Sequence, residues 1–392
     1  MNKYLVKLSE ISQKPERLII GLMSGTSLDG LDIVLCRITG DGENARIEVL
    51  EFLTHEYSSK LRKQLRNVQS NENTPTRELT FLHSELGLWY GSKINEAIKL
   101  WNLSPDKIDL IASHGQTIYH APAESSDELS ATLQIVDGDH IAQKCGIITV
   151  SDFRQKHTAV GGQGAPLAGI FDEILFRDEK KNRMLLNLGG IANFTWLPSK
   201  ESGKKVITGD TGPANTLINE AMQKYYDQPF DKDGKVASNG NVHSGFVKYV
   251  LLDPYFSKSF PKSTGQEEFR LSYIESLMQG HGILLSHDDL IASLTAITSH
   301  SISRAADEIT GDQHFECYVS GGGVHNKSLM NDLKNQISQA DFISFEKLGI
   351  PSDAKEATMM VYFANELIAG EGFIIPRVTD KKVHLGKISL PD

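Results

Sequence analysis

Residues 18–39 read LIIGLMSGTSLDGLDIVLCRIT, two apolar runs joined by a turn of small and polar residues. Residues 18–23 (LIIGLM) have the length and apolarity of a buried strand. Residues 31–39 (LDIVLCRIT) alternate in polarity as a second strand does, and Arg46–Thr54 continues as a third. Strand, glycine-bearing turn and strand at the head of the chain predict a hairpin-led α/β domain. Within the turn Met23–Asp32, Gly25, Thr26 and Ser27 supply a residue without a side chain, two hydroxyls and successive backbone N–H groups. A phosphate needs such features, because the backbone can approach it closely and donate hydrogen bonds. A plain β-hairpin turn accounts for the same residues. The chain lacks GxxxxGK followed by Ser or Thr, so a P-loop is excluded.

The opening pattern recurs downstream. A polar helical region is expected at about 58–101. Short apolar strands at Ile108–Ser113 and Ile147–Ser151 run into His114-Gly115-Gln116-Thr117 and Asp152-Phe153-Arg154. Met184–Asn187 then ends at Gly189-Gly190, and Ile191–Leu197 follows at once as a strand. This is a second copy of the opening strand–turn–strand unit. Val206–Gly209 leads into Asp210-Thr211-Gly212-Pro213, and Cys317–Ser320 into Gly321-Gly322-Gly323. Helices are expected at about 213–227, 267–280, 287–309 and 353–370. A linker is expected around 140–165, where Gly161, Gly162 and Gly164 crowd together. Ligands of α/β sheets bind at the carboxyl ends of strands. Two such domains facing each other would therefore enclose a cleft.

With 392 residues the chain exceeds one compact core, and two or three domains are expected. No stretch reaches the roughly 18 apolar residues that span a bilayer. The N-terminus does not read as a secretory signal, since acidic Glu10 and Glu16 precede its short apolar run. Cys36, Cys145 and Cys317 lie far apart, which suggests neither disulfides nor a zinc site and fits a reducing cytoplasm. A net charge of −10 argues against a nucleic-acid surface. It leaves room for a phosphate held by backbone N–H groups and Mg²⁺.

Asn187–Asn193 (NLGGIAN) and Ser320–Asn326 (SGGGVHN) are further strand-end glycine turns that could lie against a nucleotide; a tight turn is the plainer account of each. Asp210, in GDTGPAN, can be a general base or a Mg²⁺ ligand, or equally an Asx-turn or helix cap ahead of Pro213. His114 and His120 fit neither HExxH nor HxxxH, so a polar substrate contact suits His114 better than a metal. Arg154 can hold an anion or carboxylate, or form a salt bridge. Gly161–Pro166 (GGQGAP) reads as a flexible or ligand-hugging loop, and Trp89, Trp101 and Trp196 as packing residues.

Taken together, GLMSGTSLDGLD (21–32), SHGQT (113–117), DGDHIA (137–142), DFR (152–154), GGQGAPL (161–167), NLGGIANFT (187–195), DTGPAN (210–215), QPFDKDG (228–234), PKSTG (261–265), SGGGVHN (320–326) and DAKEA (353–357) closely resemble the anhydro-N-acetylmuramic acid kinase family, in family order. The resemblance implies the actin, sugar kinase and Hsp70 superfamily: an α/β fold of two ribonuclease-H-like (actin-like ATPase) domains with mixed sheets around a cleft. The first domain is expected over 1–150, joined by the C-terminal segment 375–392, and the second over 151–374. The implied reaction opens 1,6-anhydro-N-acetylmuramic acid and phosphorylates it, giving N-acetylmuramic acid 6-phosphate and ADP in peptidoglycan recycling.

Carried over by motif, Gly25, Thr26, Ser27, Leu28, Asp29, Gly30, Leu31 and Asp32 would bind ATP phosphates. Gly189 and Gly190 would also face the nucleotide, and Gly321, Gly322 and Gly323 would lie near the adenosine. Asp210 would activate water, while His114, Gln116, Arg154 and Glu356 would face the sugar. Mg²⁺ is expected, with Asp29, Asp32 or Asp210 as the acid nearest it. ATP and the anhydro sugar are the expected partners, without nucleic acid or membrane, and a homodimer is one assembly open to the chain. Ala214 stands where the family has glycine, His157 near a usual Asp and Gln266 where Arg is common; the match is poor after Val378. A kinase for a related amino sugar and an ATP-switched binding protein without catalysis are the competing readings.

Overall fold

The computed structural model describes residues 2–123, 128–265, 268–375 and 378–392; Gln266 lies outside them. The chain divides into two compact units, residues 1–175 with 349–392, and residues 176–348. No helix among the described residues is long and apolar enough to cross a membrane.

In the first unit, β1 (Glu16–Ser24), β2 (Gly30–Thr39) and β3 (Arg46–Glu56) form an antiparallel meander. β4 (Leu110–Ala121) and β6 (Thr149–Ser151) extend the sheet in parallel from β1, and β5 (Ala131–Ile135) folds back on β4. Strand periodicity divides the side chains between two faces. Ile20 and Leu22 of β1, with Leu31, Ile33 and Leu35 of β2, pack under Leu65 of helix Ser59–Val68 and Leu82, Leu86, Tyr90 and Ile94 of helix Thr76–Leu100. The opposite face meets helix Lys355–Ala369. Gly21 permits that approach: a Cβ at this position would stand 2.2 Å from the Ala357 carbonyl oxygen and 2.7 Å from Val361.

In the second unit, β7 (Arg183–Leu188), β8 (Ile191–Leu197) and β9 (Ile207–Pro213) form another antiparallel meander. β10 (Phe315–Ser320) and β11 (Ala340–Ser344) continue in parallel from β7. The spatial order β11-β10-β7-β8-β9 repeats the order β6-β4-β1-β2-β3 of the first unit. The recurring strand–turn–strand pattern is therefore a duplication of topology, and each copy is a ribonuclease-H-like sheet. Met184, Leu186, Phe194 and Trp196 pack with Ile302 and Ala306 of helix His287–Thr310. A second apolar cluster joins that helix to helices Asn215–Tyr226, Ser244–Val250 and Leu271–Gly280.

The chain then returns to the first unit. β12 (Phe373–Ile375) pairs with β13 (Thr379–Val383), and β14 (Lys387–Ser389) adds antiparallel to β6. The boundaries expected at 150 and 374 thus fall at 175 and 348 instead. Packing explains the shift. Helix Lys355–Ala369 covers the first sheet, and residues 140–165 are no linker. They carry most of helix Gly138–Cys145, then β6 and helix Phe153–Ala159. SHGQT also differs from expectation, because β4 runs through it rather than ending before it.

Candidate active site

The turn between β1 and β2 is held from behind. Gln116, fully buried on β4, accepts from Ser24 Oγ at 2.6 Å and donates through Nε2 to the Gly25 carbonyl at 3.1 Å. Ser24 Oγ also meets the Tyr57 hydroxyl at 2.7 Å, which in turn meets Tyr90 at 2.9 Å. Gln69 donates to the Thr26 carbonyl, while the Tyr57 N–H and Arg62 donate to that of Asp29. With these carbonyls tied back, the N–H groups of Thr26 and Ser27 have no partner among the described residues. That is the polarity of an anion cradle.

Leu28, Gly30 and Leu31 are buried and shape the turn, whereas Thr26, Ser27 and Asp29 are exposed. Leu28 has φ +59°, a conformation rarely taken by a branched side chain. Its side chain is sunk in the core. Gln116 supports the turn, its amide oxygen engaging the Ser24 hydroxyl and its nitrogen the Gly25 carbonyl. Ser24, Tyr57 and Tyr90 belong to the same support and were not picked out from sequence.

Asp32 accepts from Thr54 Oγ1 at 2.6 Å. Desolvation raises its pKa above 3.8, and the negative charges of Asp353 and Asp29 raise it further against the opposing hydrogen bond from Thr54. Mutually repelling carboxylates beside an anion cradle suit a divalent cation. Mg²⁺ needs only one or two carboxylates when phosphates and waters complete its shell. No group of three or more metal-ligating side chains occurs among the described residues.

Arg154 emerges at the first turn of helix Phe153–Ala159, which follows directly on β6. Its Nε donates to His114 Nε2 at 2.8 Å and its NH1 to the Gly164 carbonyl at 3.0 Å. His114 Nδ1 donates to the Gly115 carbonyl at 2.9 Å. The imidazole is buried, and desolvation with the Arg154 charge pushes its pKa down to about 3. Both ring nitrogens are engaged, and His114 orients Arg154. Glu356, exposed at the start of helix Lys355–Ala369, acts electrostatically on that guanidinium.

In the second unit, the β7–β8 turn and the end of β10 come together. A Cβ on Gly321 would meet Asn187 Oδ1 at 2.7 Å and the Leu188 carbonyl carbon at 2.8 Å, and one on Gly323 would meet the Leu188 side chain at 2.6 Å. These two glycines serve close packing, while Gly322 is exposed. The carbonyls of Gly189 and Gly190 accept from N–H groups of residues 214–216, at the start of helix Asn215–Tyr226. Ala214 is fully buried at this junction, where its methyl is accommodated.

Asp210 lies within β9, opposite Asn193, and does not cap the helix that begins at Asn215. Segment 255–264 holds it three ways. Its N–H donates to the Lys262 carbonyl at 2.9 Å, its carbonyl accepts from the Tyr255 hydroxyl at 2.7 Å, and its Oδ2 accepts from the Thr264 N–H at 2.9 Å. Oδ1 has no partner among the described residues. Desolvation raises the Asp210 pKa above 3.8, with the Thr264 bond opposing it. A carboxylate with one oxygen fixed and the other available can take a proton from water. PKSTG was visible as a motif, but nothing in its sequence signalled that its backbone holds Asp210.

The chain matches the family model "Anhydro-N-acetylmuramic acid kinase" over residues 17–390. It is 41% identical to the anhydro-N-acetylmuramic acid kinase of Pseudoalteromonas atlantica, with all of both chains covered. It is 38% identical to that of Caldanaerobacter subterraneus, covering 98% of this chain and 100% of the relative. A xylulose kinase from Lactobacillus acidophilus, solved with bound ligand, aligns at 10% identity and TM-score 0.46 over 96% of this chain and 94% of its own.

Proposed function

The chain belongs to the anhydro-N-acetylmuramic acid kinase family, and from that premise we propose how its residues carry the reaction. It is an ATP-dependent phosphotransferase that hydrolytically opens 1,6-anhydro-N-acetylmuramic acid and phosphorylates O6, giving N-acetylmuramic acid 6-phosphate and ADP. The observation that carries the residue-level reading is the one-sided hold on Asp210, whose Oδ2 is fixed by the Thr264 N–H while Oδ1 is left to act.

Asp210 takes a proton from water as the water oxygen bonds to the anomeric carbon. The bond from that carbon to O6 breaks, and O6 bonds to the γ-phosphorus as ADP departs. Glycosidases need a second carboxyl group to protonate the leaving oxygen. Phosphoryl capture of O6 removes that need, so one base suffices. The N–H groups of Thr26 and Ser27 cradle the transferred phosphate's charge, and Arg154 and Glu356 orient the sugar. Asp32, with Asp29, would hold Mg²⁺, which supplies charge neutralisation during transfer. Three buried free cysteines fit a reducing cytoplasm.

Incubation with Mg²⁺, ATP and the anhydro sugar is expected to give a product heavier than the sugar by one phosphoryl group and one water. Mass spectrometry checks this. ADP released without that product would overturn the assignment.

A further inference from the structure

Arg154 is held by two imidazoles, His114 directly and His157 through the backbone. His157 Nδ1 accepts from the Gly164 N–H at 2.7 Å, and the carbonyl of the same residue accepts from Arg154 NH1 at 3.0 Å. The loop is moulded on the ring: a Cβ at Gly162 would stand 2.4 Å from His157 Nδ1. His157 is 3% exposed and has no part in the chemistry proposed for Asp210 or the phosphate turn.

We propose that His157 is a positioning residue for Arg154, fixing the Gly161–Gly164 loop and through it the guanidinium, and that it does so only while Nδ1 is a bare acceptor. The proposal rests on the reading of Arg154 as a sugar contact. A protonated Nδ1 cannot accept from Gly164. The imidazolium would also add a second positive charge near Arg154.

The charge acting on His157 is Arg154, from its own helix. From β4, His114 and His120 both feel the same guanidinium. β5 brings Thr132 against Gly164, a side chain that does not titrate. Helix Lys355–Ala369 brings Glu356, which acts on Arg154. His114 is held neutral far into acid, whereas His157 is lowered more modestly from 6.5, by desolvation and then Arg154. His157 is thus neutral at pH 7 and gains its proton as pH falls through its lowered value. The sugar KM should rise in acid while kcat follows Asp210.

Sugar KM and kcat are measured across pH for the wild type, H157N, H157A and R154A, with thermal melts of each. Asparagine can place its amide oxygen near the position of Nδ1 and does not titrate. Wild-type sugar KM is expected to be flat at neutral pH and to rise as pH falls below 6.5, approaching about tenfold per pH unit once pH is under the lowered His157 value. H157A should show an elevated KM throughout, and H157N should restore the neutral-pH KM and flatten the acid rise. An H157N enzyme with the wild-type acid rise overturns the proposal, as does a folded H157A enzyme with wild-type KM. Should H157A fail to fold, the H157N profile decides. An unchanged KM in R154A overturns the reading of Arg154 itself.

Discussion

Asp210 keeps a charge where burial disfavours it. Its carboxyl is pushed above 3.8 by desolvation, so the folded protein binds a proton at this site more readily than the unfolded chain does. The sign follows by linkage: ionisation at neutral pH costs stability, and the cost vanishes as pH falls through the raised value. Asp210→Asn removes that charge while its side-chain oxygen can still accept from Thr264. The variant is expected to lose about 10²–10⁴-fold in kcat, to bind ATP as the wild type does, and to melt at a higher temperature. Coupled ADP release, nucleotide titration and calorimetry check the three outcomes, and full activity in the variant would sink the base assignment. From sequence, Asp210 was readable as a base or a helix cap. Only the start of the helix at Asn215 removes the second option. The bond that fixes the carboxylate comes from a backbone N–H 54 residues away, and a backbone donor leaves no mark on residue type.

At the scale of elements, the duplicated meander was legible because its strands are short, apolar and punctuated by glycine turns. The interior of β4 was not. His114-Gly115-Gln116-Thr117 looks like a strand-end loop because it is polar. It stays in the strand because each polar group finds a buried partner: Gln116 the Ser24–Gly25 turn, and His114 both Gly115 and Arg154. A buried polar group with its hydrogen bonds satisfied is compatible with a strand interior. This placement separates the roles of neighbours that sequence assigned alike to the sugar. Gln116→Leu frees the Gly25 carbonyl and unties Ser24, so the ATP KM should rise about tenfold with less effect on the sugar KM. Steady-state kinetics varying each substrate in turn test this. A change confined to the sugar KM would return Gln116 to the sugar site.

For the molecule as a whole, chain continuity sets what can fold alone. The second unit is the unbroken stretch 176–348, with its own sheet core and a helical cluster. The first unit is interrupted, and its closing parts, helix Lys355–Ala369 and β14, come from the end of the chain. Without that helix, the β1–β2 face bearing Gly21, Val34 and Cys36 is stripped of Ala357, Thr358 and Val361. Fragment 176–348 should therefore unfold cooperatively in urea, whereas fragment 1–175 should show no cooperative transition. The same contact can be probed in the intact chain. Gly21→Ala drives a methyl toward the Ala357 carbonyl, a backbone atom that cannot swing aside, and should cost about 1–3 kcal/mol. The loss belongs to the first unit, so a melt that resolves two transitions should shift only one of them. A shift of the transition assigned to fragment 176–348 would show that Gly21 stabilises more than the sheet face it lies on.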